Sequence, residues 1–458
     1  MSRKFYQTLI KRVLHIMFLA VNLFFLFCYY KAMLEYAGTQ NFYSHLKVNW
    51  IVAIGYVIAL YLLARVYHGF LVGSARISEV FFSLGLAVVI ADAGAYVLFT
   101  IYMAKFLNPL YLLILIAIQS IWNLAWAYFA NRIYFMTHAP RAAAVISRAA
   151  DAVDKLNKIT YFDFRFCIVK HIVNPAGMEN IEDCLNGCEV VFLIGIDMEL
   201  RNAIVKQCID RGIRTYIKPK LGDIVMSGAE HMQMFSEPIM RVDRANPSPE
   251  YRLAKRMFDI FASLCAIILT FPVMLGVAIA IKVYDRGPVF YKQIRLTKNR
   301  KEFEILKFRS MREDAEKDGV ARLAAEHDDR ITPVGHFIRA CRLDELPQLF
   351  NILKGDMTLV GPRPERPEIA AEYEKEMPTF ALRLQVKAGL TGYAQIYGRY
   401  NTEPYEKLQM DLMYINKMSI TQDLWLMFAT VKVLFIKEST KGVKEGWGTA
   451  VKTGAADP

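Results

Sequence analysis

The chain has 458 residues, 54% of them hydrophobic, with a mean hydropathy of +0.23. A soluble chain of this length is rarely so apolar, which points to membrane spans. The net charge of +12 suits an anionic membrane or nucleic acid, but no zinc-finger spacing or arginine-rich tail is present, so no nucleic-acid partner is expected.

Four runs are long enough to cross a bilayer: Val13 to Tyr30, Val48 to Ala64, Val80 to Ala104 and Leu107 to Ala130. They predict a four-helix transmembrane bundle over residues 1–135. The first run is too long for a signal-peptide core and lacks a convincing small-residue cleavage site, so it reads as a retained span. With the N-terminus inside, nine basic residues flank the inner ends (Arg3, Lys4, Lys11, Arg12, Arg65, Arg76, Arg132, Arg141, Arg148) and three the outer ends (Lys31, Lys47, Lys105). That orientation returns the chain to the cytosol. The seven irregularly spaced cysteines agree, reading as reduced thiols of a cytosolic soluble part. Asp92 lies inside the third run, where an intramembrane carboxylate invites a functional reading. A polar contact within the bundle, to Gln119 or Asn123, is the preferred account.

Residues 136–243 read as a small Rossmann-like α/β module. Ala142 to Ile146, Phe164 to Val169 and Val190 to Ile194 are strand-like, with a fourth short strand at Thr215 to Ile217. Helices are expected at Ala149 to Lys158 and Leu200 to Arg211, which predicts a parallel sheet. The turn after the first strand, Ser147-Arg-Ala-Ala-Asp151, carries no glycine, so dinucleotide binding is disfavoured and the module reads as structural or regulatory.

A polar, proline-containing linker at 244–254 precedes a fifth apolar run, Met257 to Ile281. Pro272 lies near its middle and removes a helical donor. Basic residues stand at both ends (Lys255, Arg256, Lys282, Arg286), as suits a segment that enters and leaves by one face. A re-entrant helix over 257–281, bent at Pro272, is therefore predicted; a kinked fifth span is the alternative. Between Lys282 and Arg312 ten basic residues meet three acidic ones, a stretch fit for lipid headgroups or a multiply phosphorylated substrate.

The next feature is Arg339-Ala-Cys-Arg-Leu-Asp344-Glu345-Leu-Pro-Gln-Leu-Phe-Asn351. Asp344 and Glu345 are expected at a helix start, with Leu346, Leu349, Phe350 and Leu353 as its buried stripe. Carboxylates favour that helix end for purely electrostatic reasons, so the pair alone is weak evidence. Gly361-Pro-Arg363-Pro364 and Gly389-Leu-Thr-Gly392-Tyr-Ala-Gln395 follow, the latter leading to Gly398-Arg399, and their glycines would let backbone approach a phosphate. Taken in order with Lys255-Arg-Met-Phe-Asp259 and Lys307-Phe-Arg309-Ser-Met311, these stretches resemble the bacterial sugar transferases, the monotopic polyprenyl-phosphate hexose-1-phosphate transferases. The resemblance covers some 180 residues within a domain placed at 255–440, ahead of a loose tail at 441–458. The four spans and α/β module look like the larger architecture in that family.

The resemblance implies a monotopic, α-rich catalytic domain on the cytosolic side of the bacterial inner membrane. It implies transfer of a hexose-1-phosphate from a UDP-sugar to undecaprenyl phosphate, as the first membrane step of exopolysaccharide, capsule or O-antigen synthesis. Asp344 would be the nucleophile, kept ionised by nearby cations. Glu345 would support the metal or the nucleophile's placement, and Mg²⁺ would be held at Asp344 and Glu345. Arg339, Arg363, Lys307 and Arg309 would contact substrate. Membrane lipid and a homodimer complete the expected partners. This chain departs from the family pattern at Lys387-Ala388, where Arg-Pro is common, and at Phe271, where a small hydroxyl residue could have eased the bend. Leu408, Leu412 and Ile415 share a helical face that could meet membrane or core, and Leu424 to Phe435, with Trp425 and Lys432, suits an interface. Two rivals remain. A membrane-bound nucleotide-sugar dehydratase would need a glycine-rich NAD turn that the chain lacks, and a non-catalytic polysaccharide-assembly scaffold would release no nucleotide.

Overall fold

The computed structural model describes residues 3–36, 46–157, 162–175, 178–234, 236–312, 328–398 and 402–434. Arg399 and the tail at 441–458 lie outside them, as does Phe435. The chain divides into two compact units, Met1–Lys220 and Leu221–Pro458.

The first unit opens with helices α1 (Arg3–Tyr36), α2 (Leu46–Val66), α3 (Ile77–Met103) and α4 (Pro109–Thr137). Asn108 caps α4 by accepting from the Leu110 amide, and Pro109 occupies the first helical turn, where its missing N–H goes unneeded. The four pack around Phe18, Leu60, Leu84, Trp126 and neighbouring buried side chains, while Phe24, Ile51, Ile101 and Ile121 face outward. Apolar surface turned both inward and outward is the mark of helices dissolved in lipid. Among the described residues, Phe5–Met33, Ile77–Met103, Pro109–Thr137 and a later helix, Pro249–Asp285, are long and apolar enough to cross a membrane, and Trp50–Val66 is a shorter apolar helix. The chain is a membrane protein.

A parallel sheet of order β2-β1-β3-β4 follows, built from β1 (Arg141–Ser147), β2 (Phe166–Val173), β3 (Val190–Ile194) and β4 (Arg214–Ile217). Strand alternation sends Ala143 and Val145 of β1 toward α5 (Ala152–Asn157) and α6 (Phe162–Arg165). Ala144 and Ile146 go to the opposite face, toward α7 (Glu179–Leu185) and α8 (Met198–Asp210). The expected first helix of this module is shorter than predicted. The second strand begins later, because Phe162 to Arg165 form a helical turn that tucks Phe162 into the core.

The second unit begins at Leu221, earlier than the boundary expected at 243. The reason is that α9 (Leu221–Ser227) places Ile224 in the second unit's core, and Asn416 donates to the Ile224 carbonyl. The hairpin β5 (Glu230–Met234) with β6 (Glu237–Arg241) follows. Helix α10 (Pro249–Asp285) starts inside the expected linker, because Ser248 caps it and Pro249 fits its first turn. Pro272 lies within this one 37-residue helix rather than at a break.

Beyond α10 come the antiparallel pair β7 (Phe290–Leu296) and β8 (Glu302–Phe308), then α11 (Pro333–Ala340) and α12 (Gln348–Lys354). These lead to β9 (Thr358–Val360), α13 (Pro367–Glu376), β10 (Gly389–Thr391), α14 (Tyr393–Tyr397), α15 (Pro404–Ile415) and α16 (Ile420–Leu434). Ile352, Phe380, Leu408, Leu412 and Leu426 fill the core, so the shared face of Leu408, Leu412 and Ile415 serves packing, not the bilayer. Trp425 packs beside Tyr393 and Tyr397.

The paired strands β9 and β10 run so close that three glycines, Gly361, Gly389 and Gly392, are obligatory. Gly361 accepts no side chain, since a Cβ there would sit 2.6 Å from the Lys387 carbonyl oxygen. A Cβ on Gly389 would collide with the Gly361 backbone, which cannot swing aside. The glycines expected to admit phosphate instead let one backbone approach another. Gly389→Ala is therefore expected to destabilise the protein by about 1–3 kcal/mol or more. Gly222→Ala, placed in open space on α9, should be neutral or gain about 0.5–1 kcal/mol. Thermal unfolding of the two variants in detergent checks the contrast.

Candidate active site

Asp344 and Glu345 lie in a tight 3-10 turn, Leu343–Glu345, between α11 and α12. The turn precedes α12 instead of opening it. Consequently Phe350 is exposed and Ile352, not Phe350, joins the buried face. Arg342 enters the turn with φ of 53°, a left-handed conformation uncommon for a residue with a Cβ. Leu343 and Leu346 flank the carboxylates and pack with Met274, Val277, Ile281, Phe308 and Ile338. The apolar neighbours thus tie the turn to the later half of α10.

Other contacts bring the cations in. Asn351 accepts from the Leu306 amide at 2.9 Å and donates to the Glu304 carbonyl at 2.7 Å, stitching β8 to α12. Lys307, on the same strand, reaches Glu345 at 3.4 Å. The Pro362-Arg363-Pro364 loop leaves β9 and delivers Arg363 to Glu345 at 2.6 Å. Arg383 donates to the Arg363 carbonyl at 2.8 Å and Arg295 to the Pro364 carbonyl at 3.2 Å, so the loop is held from both sides. Arg383 is itself buried and paired with Asp411 at 2.8 Å. Arg256 on α10 donates to the Ile352 and Leu353 carbonyls, both at 2.7 Å, closing the end of α12. Lys387 donates to the Gly355 carbonyl at 2.7 Å, a structural contact at the position where the family pattern departs.

The two carboxylates consequently differ. Glu345 has three cationic partners: Arg363, Lys307 and Arg342, the last at 3.8 Å. Burial works against its ionisation, but Arg363, Lys307 and Arg342 hold its carboxyl well below the usual range. Asp344 forms no ion pair or side-chain hydrogen bond among the described residues. Burial, followed by the adjacent Glu345 charge, pushes its carboxyl above the usual range, against the pull of Lys307, Arg339 and Arg363. Nearby cations therefore do not dominate Asp344 as expected, because burial and the adjacent Glu345 charge outweigh them. Burial also lowers Lys307.

Five of the expected residues converge: Asp344, Glu345, Lys307, Arg363 and Arg339, whose charge acts on Asp344. Arg309 does not join them. Its guanidinium is buried against Asp285 at the end of α10, over Gly287, where it clamps helix to strand. Alternation alone would put Lys307 and Arg309 on one face, but β8 ends at Phe308, so Arg309 lies past the strand and turns away. Arg342 was not anticipated, although its spacing of three from Glu345 was visible. Arg383 and Asp411 were also missed, being 39 and 67 residues from Asp344 and joined to the site only by folding.

Lys307, Arg339, Arg342 and Arg363 outnumber the two carboxylates, leaving net positive charge suited to a diphosphate. No group of three or more His, Cys, Asp or Glu gathers among the described residues. Asp344 and Glu345 still fit Mg²⁺, which commonly takes one or two carboxylates and leaves its other positions to water and phosphate. Asp344 is the readier ligand, as its charge is not already answered by an ion pair.

Residues 250–437 match the model of the family described as bacterial sugar transferase. The chain is 41% identical over 191 residues to a UDP-N-acetylgalactosamine-undecaprenyl-phosphate N-acetylgalactosaminephosphotransferase of Aeromonas hydrophila, covering 41% of this chain and 45% of that one. It is 36% identical over 219 residues to a UDP-glucose:undecaprenyl-phosphate glucose-1-phosphate transferase of Escherichia coli (strain K12), covering 47% and 45%. These matches span under half of either relative. An exopolysaccharide production protein of Rhizobium leguminosarum bv. phaseoli is 41% identical over 197 residues, 41% of this chain and 96% of that protein. A relative matched over nearly its whole length at this identity decides the question that the glycine-rich loops and acidic pair raised: the chain belongs to the bacterial sugar transferase family.

Proposed function

We propose that the protein transfers a hexose-1-phosphate from a UDP-sugar to undecaprenyl phosphate, on the cytosolic face of the bacterial inner membrane. The observation that carries this reading is the division of labour in the acidic pair: Glu345 is saturated with cations while Asp344, one residue away, keeps its carboxylate unengaged. Family membership supplies the reaction class, and relatives named for glucose and N-acetylgalactosamine transfer make a hexose phosphate the natural cargo.

An Asp344 oxygen attacks the β-phosphorus of the nucleotide-sugar. The bond from that phosphorus to the bridging oxygen breaks, and UMP leaves with the electron pair. The sugar phosphate is then carried on Asp344 as an acyl phosphate. An oxygen of undecaprenyl phosphate attacks the same phosphorus, releasing Asp344 and forming undecaprenyl-diphospho-sugar. Lys307, Arg339, Arg342 and Arg363 draw the diphosphate in and spread the charge of the transition state. Glu345 keeps three of these cations assembled before substrate arrives. Asp344 and Glu345 would hold Mg²⁺, which would supply positive charge against the repulsion between nucleophile and diphosphate.

The packing of α10 supports a re-entrant membrane helix. One stripe of it, from Asp259 and Ser263 through Ala266 to Met274, Val277 and Ile281, lies against the catalytic body. The other face exposes Phe261, Ile268, Leu269, Phe271 and Ile279. A helix about 55 Å long could span a bilayer. Near its start Tyr251 donates to Asp423, further along Asp259 accepts from Thr358 and the Leu359 amide, and at its end Asp285 pairs with Arg309. Both ends are thus tied to one polar domain, which a crossing would have to drag into lipid.

Asp344→Asn should reduce transfer by on the order of 10⁴–10⁶-fold without changing thermal unfolding. Turnover close to that of the unaltered protein would remove Asp344 from the reaction. Chelation by EDTA should abolish UMP release and added Mg²⁺ should restore it; persistence of activity through chelation refutes the metal assignment. Cysteines introduced as Arg252→Cys and Lys282→Cys should both label from the cytosolic side, and outside labelling of position 282 would mean a fifth crossing. A scaffold would release no UMP at all when well folded and supplied with Mg²⁺, UDP-sugars and lipid phosphate.

A further inference from the structure

The four-helix bundle contains a polar cluster that the transfer reaction does not use. Each helix contributes near its middle: Asn22 from α1, Tyr56 from α2, Asp92 from α3, and Gln119 and Asn123 from α4, all with 4% exposure or less. Tyr56 donates to Asp92 Oδ1 at 2.8 Å, Gln119 donates to the Tyr56 hydroxyl at 3.3 Å and to the Asn22 carbonyl at 3.5 Å, and Asn22 donates to the Phe18 carbonyl at 2.9 Å. Asp92 therefore does find a partner within the bundle, and Tyr56, not anticipated from the sequence, is one.

These bonds leave three acceptors open and the Asn123 amide open at both its donor and its acceptor. Asp92 Oδ2, Gln119 Oε1 and Asn22 Oδ1 have no hydrogen-bond partner, and neither polar atom of Asn123 has one. Asp92 is also the one buried carboxylate among the described residues of α1–α4, and no lysine or arginine is buried with it. A single negative charge at mid-depth in hydrocarbon requires a single positive charge beside it. A proton on Asp92 would supply that charge but would leave the amide oxygens of Asn22, Gln119 and Asn123 unsatisfied. A small alkali cation answers both needs, because hard cations take carboxylate and amide oxygens together.

We propose that the bundle binds a monovalent alkali cation, sodium being the best probe, between Asp92 and the side-chain oxygens of Asn22, Gln119 and Asn123. Such a cation ties all four helices to one point and makes bundle stability depend on it.

The test is thermal unfolding of the full-length protein in detergent at mildly alkaline pH, in NaCl or choline chloride at equal ionic strength. The midpoint should rise steadily with the logarithm of sodium concentration and stay constant in choline. Asp92→Asn should abolish the sodium dependence, and in choline it should unfold no earlier than the unaltered protein, since it removes an uncompensated charge. Asn123→Ala, which keeps the carboxylate, should shift the sodium dependence to higher concentration and serves if Asp92→Asn does not fold. Equal midpoints in sodium and choline, a dependence that survives in Asp92→Asn, or one left unshifted in Asn123→Ala, overturn the proposal and leave a protonated or merely hydrated cluster.

Discussion

Glu345 gathers Arg363, Lys307 and Arg342 from three separate stretches of chain, at 2.6, 3.4 and 3.8 Å. Without a partly buried anion at that point, like charges from β8, the turn before Asp344 and the loop after β9 would repel one another across a partly desolvated space. With it, they form a preassembled positive field, and the neighbouring Asp344 is left unpaired within it. Much of the second unit's architecture follows from keeping this one constellation in place. Asn351 sets β8 against α12, Arg383 and Arg295 pin the loop carrying Arg363, and the three close-packed glycines let β9 and β10 run near enough to launch that loop.

The same constraint explains why an apolar helix is part of the catalytic body rather than a detachable anchor. The turn bearing the acidic pair rests on Met274, Val277 and Ile281 through Leu343 and Leu346, while Arg256 closes the far end of α12. On the proposed reading, a lipid phosphate acceptor would approach along the exposed face of α10.

The bundle of the first unit poses the opposite electrostatic problem. In the active site many cations are organised by one anion; among α1–α4 one buried carboxylate, Asp92, sits among neutral amides with no cation from the chain. Buried charge has to be answered in either place, by side chains in the first case and by a guest in the second.

Local sequence was sufficient for the elements whose cause is local. Long apolar runs declared the membrane helices and strand–helix alternation declared the parallel sheet, whereas the helix starts at Pro109 and Pro249 emerged only with the structure. The order of the glycine-rich and acidic stretches was enough to suggest the family and to single out Asp344, Glu345, Lys307 and Arg363. What it could not separate was Asp344 from Glu345, or Lys307 from Arg309 two residues on. Those distinctions depend on which cations arrive from distant segments and on where β8 ends. The left-handed turn at Arg342, the Arg383–Asp411 pair and the Tyr56–Asp92 bond are likewise invisible along the chain. Electrostatic partners are selected by proximity in space, and only the tertiary fold creates that proximity.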